Sequence, residues 1–107
     1  MMKKQTNSNR AEKIASTVQK YAAEILRDRG FAVTLSGAES HGGLAFVRLF
    51  WQGDRLSQPR LDSDKNAIRY ELAQRMNQKY VPDIQFIYDD TLEKSEKIDQ
   101  LLANLNS

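Results

Sequence analysis

The stretch AIRYELAQRMNQKYVPDIQFIYDDTLEKSEKIDQLL, Ala67 to Leu102, joins a basic helix, a proline break, a strand and an acidic turn in one order. Ile68, Leu72 and Met76 recur every four residues, which is helical spacing, and Pro82 after Val81 stands where a helix does not continue. Beyond the break Ile84, Phe86 and Tyr88 alternate with Gln85 and Ile87, the period of a strand. Asp89 and Asp90 end that strand. Thr91 is placed to cap a last helix whose apolar positions are Ile98, Leu101, Leu102 and Leu105.

Working back from this stretch, Ile14, Val18, Tyr21, Ala22, Ile25 and Leu26 form the apolar face of a first helix expected over about Arg10 to Arg29, with Gly30 placed to end it and Asn9 or Ser8 to cap its start. Residues 1–9 are polar and aperiodic, which predicts a flexible arm ahead of a single domain at 10–107. Phe31 to Ser36 reads as a strand, and GAESHGG after it as a hairpin-like connection. From Leu44 the pattern is apolar on both faces: Ala45, Val47, Leu49 and Trp51 alternate with Leu44, Phe46, Arg48 and Phe50. One face packs on the helices. The other needs a cover, either the apolar stripe of the last helix or a partner surface. The expected fold is therefore α+β, a type II KH-like domain in the order α-β-β-α-β, with a three-stranded sheet backed by helices and an extra C-terminal helix.

VTLSGAES (Val33 to Ser40), LAFVRLFW (Leu44 to Trp51) and the segment from Ala67, with its Ile68-Arg69 pair and VPDIQFIYDD, together resemble the ribosome-binding factor A family over roughly residues 10 to 102. The resemblance implies a cytoplasmic assembly factor that binds the small (30S) ribosomal subunit and its 16S rRNA during late maturation, with no cofactor. Family members join two helices after the second strand at an Ala-x-Gly kink. Here the kink positions read Asp64-Lys65-Asn66, and the first of the two helices is shortened to the irregular QGDRLSQPRLD. Either Asn66, which tolerates a left-handed backbone, keeps a bend, or Asp62 or Ser63 caps a single helix.

Composition is consistent with this. A chain of 107 residues fits one domain, and no apolar run approaches the ~20 residues of a membrane span. The start, MMKKQTNSNR, lacks the apolar core of a secretory signal, and the absence of cysteine removes disulfides and thiolate chemistry. Net charge is only +2, but residues 1–79 carry 14 of the 16 basic residues against 8 of the 14 acidic ones. A basic body with an acidic end suits a protein that lays one face on RNA.

Two basic rims are the candidate RNA contacts. Arg10, Lys13, Lys20 and Arg27 fall on one stripe of the first helix, diluted by Glu24. Lys65, Arg69, Arg75 and Lys79 flank the apolar stripe of the third-segment helix, and Arg69 matches an arginine of the family's helix. Replacing Arg69 and Arg75 with alanine is expected to weaken RNA binding. The competing reading is that these cations pair with neighbouring acids such as Glu71 or Asp83. Trp51 and Tyr70 either stack on bases or pack inside. His41 reads as an exposed loop residue with no second His or Cys for a metal site. Asp89 and Asp90 are the only start for an enzyme reading, and without a nucleophile or phosphate loop they read as a strand end and helix cap. The sequence therefore predicts a monomeric, non-enzymatic factor whose partners are the small ribosomal subunit and its rRNA, with no membrane and no small-molecule substrate. The alternative is a protein-interaction module that keeps the fold without RNA binding, dimeric through Phe46 and Phe50.

Overall fold

A computed structural model describes the backbone of residues 2–42, 45–78 and 81–106, and side chains from Arg10 onward within those ranges up to Leu105. Leu44 and Lys79, both used in the sequence reading, lie outside the described residues.

The elements run α1 (Met2–Asp28), β1 (Val33–His41), β2 (Phe46–Gly53), α2 (Gln58–Met76), β3 (Asp83–Tyr88) and α3 (Thr91–Asn106). This is the expected α+β, KH-like order with the extra C-terminal helix. The sheet order is β1-β2-β3, with β2 antiparallel to β1 and parallel to β3. Val47, Leu49 and Trp51 of the central strand and Ile84 and Phe86 of β3 are buried on one face. Against them pack Ala15, Val18, Ala22, Ile25 and Leu26 of α1 and Leu61, Ile68 and Leu72 of α2.

Helix ends follow backbone chemistry. Gly30 takes φ +79°, and the N–H groups of Gly30 and Phe31 donate to the carbonyls of Arg27 (3.1 Å) and Leu26 (2.9 Å), a Schellman closure with Phe31 and Leu26 both buried. Asn77 repeats the device for α2 at φ 52°, so that helix stops several residues before Pro82. At its start α1 departs from expectation. It begins at Met2 and runs through Ser8 and Asn9, expected as caps, and through the segment read as an arm, because no glycine or proline interrupts the chain from Met2 to Arg29.

The start of α2 corrects both readings of the third segment. The helix is continuous from Gln58, after a short 3-10 turn at Arg55–Ser57, and Asn66 has no left-handed backbone. Neither a kink at Asn66 nor a cap at Asp62 or Ser63 is present. Pro59 sits in the first turn, where its fixed φ favours a helix start and its missing N–H costs nothing. Gln58 then clamps this end to the sheet. It accepts from Trp51 Nε1 at 2.9 Å and donates to the Phe86 carbonyl at 2.9 Å. Arg60 donates to the Arg29 carbonyl (3.0 Å) and lies 4.0 Å above the Phe31 ring, tying α2 to the end of α1.

β1 is longer than predicted. GAESH, expected in the connection, stays in the strand through a register shift between Leu35 and Gly37, so His41 is a strand residue. The bulge turns Ala38 inward where strict alternation from Leu35 would place Gly37 or Glu39.

The second face of the sheet is not covered by α3. Every described residue of α3 is exposed, its large apolar side chains from 53% at Leu102 to 80% at Leu105. At its first turn Glu93 accepts from Arg55 and from Tyr88 Oη. Thr91 is the first helical residue rather than the cap. Its N–H and hydroxyl both donate to Asp89, whose other carboxylate oxygen accepts from Ser36 Oγ (2.6 Å) and Gln52 Nε2 (3.4 Å).

These contacts yield two predictions. Leu72→Ala should cost about 2–5 kcal/mol in urea unfolding, against within ~0.5 kcal/mol for Leu101→Ala on bare α3. Donation from Ser36 and Thr91 holds the Asp89 carboxyl at about 2, below its ordinary 3.8. Because the folded value is depressed, the clasp's contribution is complete above about pH 4 and lost as pH falls through about 2. A carboxyl NMR titration should find the Asp89 midpoint near 2, and Ser36→Ala should move it upward.

Candidate nucleic-acid interface

The two basic rims differ in how far their charges are spent inside the protein. On α1 the apolar face is buried, which turns Arg10, Lys13, Lys20 and Arg27 outward, and all four are exposed. None of them forms an ion pair among the described residues. Lys20 Nζ lies 5.7 Å from the Tyr21 ring centroid, a contact that leaves its charge available. Glu24, the acid expected to dilute the stripe, is half-buried and turned toward Arg75 at 3.7 Å. Glu12 is the exposed acid that stays beside the stripe.

On α2 the arginines are engaged. Arg75 Nη2 donates to Asp28 at 2.8 Å, and its Nη1 lies 3.7 Å from Glu24, so one arginine bridges two turns of α1. Beside this guanidinium the Asp28 carboxyl lies below its ordinary value and Arg75 above its own. Arg69 Nη2 donates to the Val81 carbonyl at 3.0 Å, and its Nε lies 3.7 Å from Asp83. Glu71 binds Arg29 at 3.3 Å instead. The internal pairing weighed in the sequence therefore occurs for Arg69 with Asp83, while Arg75 finds α1 carboxylates that sequence spacing gave no means of locating. Lys65 is half-buried with no ion pair among the described residues. Lys79 lies outside them.

The aromatic candidates separate cleanly. Trp51 is fully buried and T-stacked on Tyr88 at 5.0 Å, so it packs rather than stacks on bases. Tyr70 is 67% exposed, and it borders a shallow cleft of about 310 Å³ with Asn66, Arg69, Ala73 and Val81. Tyr70 lies two positions from both Ile68 and Leu72, about 200° off the apolar stripe, so its exposure was legible. The cleft was not, because Val81 comes from the following loop.

On the uncovered sheet face His41 stacks on Phe46 (5.3 Å, 12° between planes) and lies 3.3 Å from Glu39. It is a half-buried strand residue, not the exposed loop residue expected. Arg48 lies 5.7 Å from the Phe46 ring, a contact the sequence did not single out. Asp89 spends its oxygens on the clasp, and among the described residues no group of His, Cys, Asp or Glu is arranged to hold a metal ion. No described helix is long and apolar enough to cross a membrane.

The pairings predict stabilities. Arg69→Ala strips a partner from the carbonyl of buried Val81 and should cost about 1–3 kcal/mol in chemical denaturation. Arg75→Ala removes an exposed pair and should cost about 0–1 kcal/mol.

Comparison with known proteins gives one family. The family model described as ribosome-binding factor A matches residues 10–102. Curated proteins of that name are similar along nearly their whole length. The one from Trichlorobacter lovleyi is 33% identical over 99% of this chain and 92% of its own. The one from Acidovorax is 32% identical over 94% and 87%, and that from Macrococcus caseolyticus 29% identical over 92% and 96%. Among solved structures, the crystal structure of the Thermus thermophilus factor superposes with a TM-score of 0.63 over 73% of this chain and 94% of that one, at 13% identity. A homology model of the Thermus factor fitted into a cryo-EM map of its 30S complex gives 0.64 over 74% and 94%, also at 13% identity. At that identity the likeness is one of fold.

Proposed function

We propose that this chain, which belongs to the ribosome-binding factor A family, is a non-catalytic assembly factor that binds the small ribosomal subunit through its rRNA during late maturation. The observation that carries the reading is the α1 stripe of Arg10, Lys13, Lys20 and Arg27, exposed cations on one helix face that make no ion pair among the described residues. A rigid helix presents such charges at fixed spacing, so they read the path of phosphates rather than base identity, and counterion release supplies the free energy. The 30S complex of the Thermus relative supports the choice of subunit. In this reading α1 makes the primary contact, Lys65 adds to it from α2, and Arg69 and Arg75 hold the scaffold. The factor works in the cytoplasm as a monomer and leaves before translation begins.

The double variant Lys13→Ala/Lys20→Ala should weaken binding to small subunits and flatten its dependence on log salt by about 1–2 units, since each phosphate contact contributes about 0.7–0.9. Arg75→Ala should leave both unchanged. Filter binding across a salt series measures this, and unchanged affinity in the lysine double variant would remove α1 as the contact.

A second reading, a protein-interaction module, is favoured by one feature: the apolar surface left open, half-buried Phe46 and Phe50 on the uncovered sheet face and the exposed leucines of α3. Light scattering that gave a dimer would favour it.

A further inference from the structure

We propose that the cleft on the outer face of α2, lined by Asn66, Arg69, Tyr70, Ala73 and Val81, is a subsite for one unstacked nucleotide of a single RNA strand. The inference rests on the RNA-binding reading above and adds a second, chemically different contact to the phosphate-reading stripe of α1.

Three properties of the cleft point to this ligand. Tyr70 is 67% exposed on the helix whose Leu61, Ile68 and Leu72 are fully buried. An aromatic ring left in water beside a concavity offers one π-face to a planar partner, and bases stack on such rings regardless of sequence. Ala73 is half-buried and Val81 buried beside the ring, which gives the cleft a small apolar floor. Asn66, one helical turn before Tyr70, is exposed and carries both a donor and an acceptor for the edge of a stacked base.

The third property is the placement of charge. Arg69 is fixed by donation from Nη2 to the Val81 carbonyl, and its Nε is shielded from solvent without a hydrogen-bond partner, 3.7 Å from Asp83. Its guanidinium is therefore pre-oriented at the cleft, with N–H groups beyond the one given to Val81. A base on Tyr70 with its phosphate toward Arg69 uses a ring that otherwise serves no internal contact and a guanidinium already held at the cleft. A duplex cannot supply this ligand, because its bases are stacked on one another and offer groove edges and phosphates but no free base face.

The test uses the full chain and fluorescence anisotropy with two probes, a short unstructured single-stranded RNA and a blunt-ended duplex of two strands without a loop. The single strand should bind more tightly than the duplex. Tyr70→Ala should weaken single-strand binding about tenfold, leave duplex binding and the salt dependence unchanged, and be rescued by Tyr70→Phe, which keeps the ring. Lys13→Ala/Lys20→Ala should weaken both probes. If the lysine variant weakens binding while Tyr70→Ala does not, the subsite is overturned and the RNA reading stands. If neither variant changes binding to either probe, both fall. Adenosine monophosphate that bound as tightly as the strand would overturn the assignment to RNA and make the cleft a mononucleotide site.

Discussion

The parallel pairing of β2 with β3 is the constraint from which the rest of this molecule follows. Two parallel strands cannot be joined by a tight turn, so the chain must cross from one end of the sheet to the other between Gly53 and Asp83. It does so as α2, which lies on the face of Val47, Leu49, Trp51 and Ile84 and seals it with Leu61, Ile68 and Leu72. The clamp from Gln58 to Trp51 and to the Phe86 carbonyl fixes where the crossing begins. With α2 in place, α1 has one apolar surface left to cover, and its hydrophobic stripe determines its rotation about its own axis. The outward direction of Arg10, Lys13, Lys20 and Arg27 is a consequence of that rotation.

The same crossing explains why the two basic helices have different roles. Where α1 and α2 meet, acids and bases from both are brought within reach, so Arg75 finds Asp28 and Glu24 and Glu71 finds Arg29, while Arg69 turns to Asp83 of β3. Exposed pairs of this kind contribute little stability, yet they occupy the cations that make them. The cations of the α1 stripe make no ion pair among the described residues and keep their charge. Total charge near neutrality thus hides a sorted surface, with free cations on one helix and the acidic residues after Tyr80 gathered toward β3 and α3.

The elements most legible in the sequence were those whose burial is periodic. Ile14 to Leu26 gives α1 its inner face, the alternation of Val47, Leu49 and Trp51 gives β2, and Ile84, Phe86 and Tyr88 give β3. Boundaries were less legible where the signal is a single backbone preference: Pro59 marks the first turn of α2 inside a stretch that looks irregular, and Asn77 ends the helix well before Pro82. The uncovered second face of the sheet was legible as a need but not as an outcome. Helical spacing of Ile98, Leu101 and Leu105 shows that α3 has an apolar side, whereas its direction is set by Asp89 and Glu93 at its first turn. The partners of Arg75 were out of reach of the sequence because they lie 47 and 51 positions away along the chain. Only the packing of α1 on α2 brings them together.

The central claim is that salt-sensitive contact with rRNA of the small subunit is the protein's work. Co-sedimentation of the purified chain with free small subunits, large subunits and assembled ribosomes across a salt series tests it most directly. The account predicts binding to free small subunits alone, falling steeply as salt is raised. No binding to any particle at low salt, or binding that salt leaves unchanged, would contradict it.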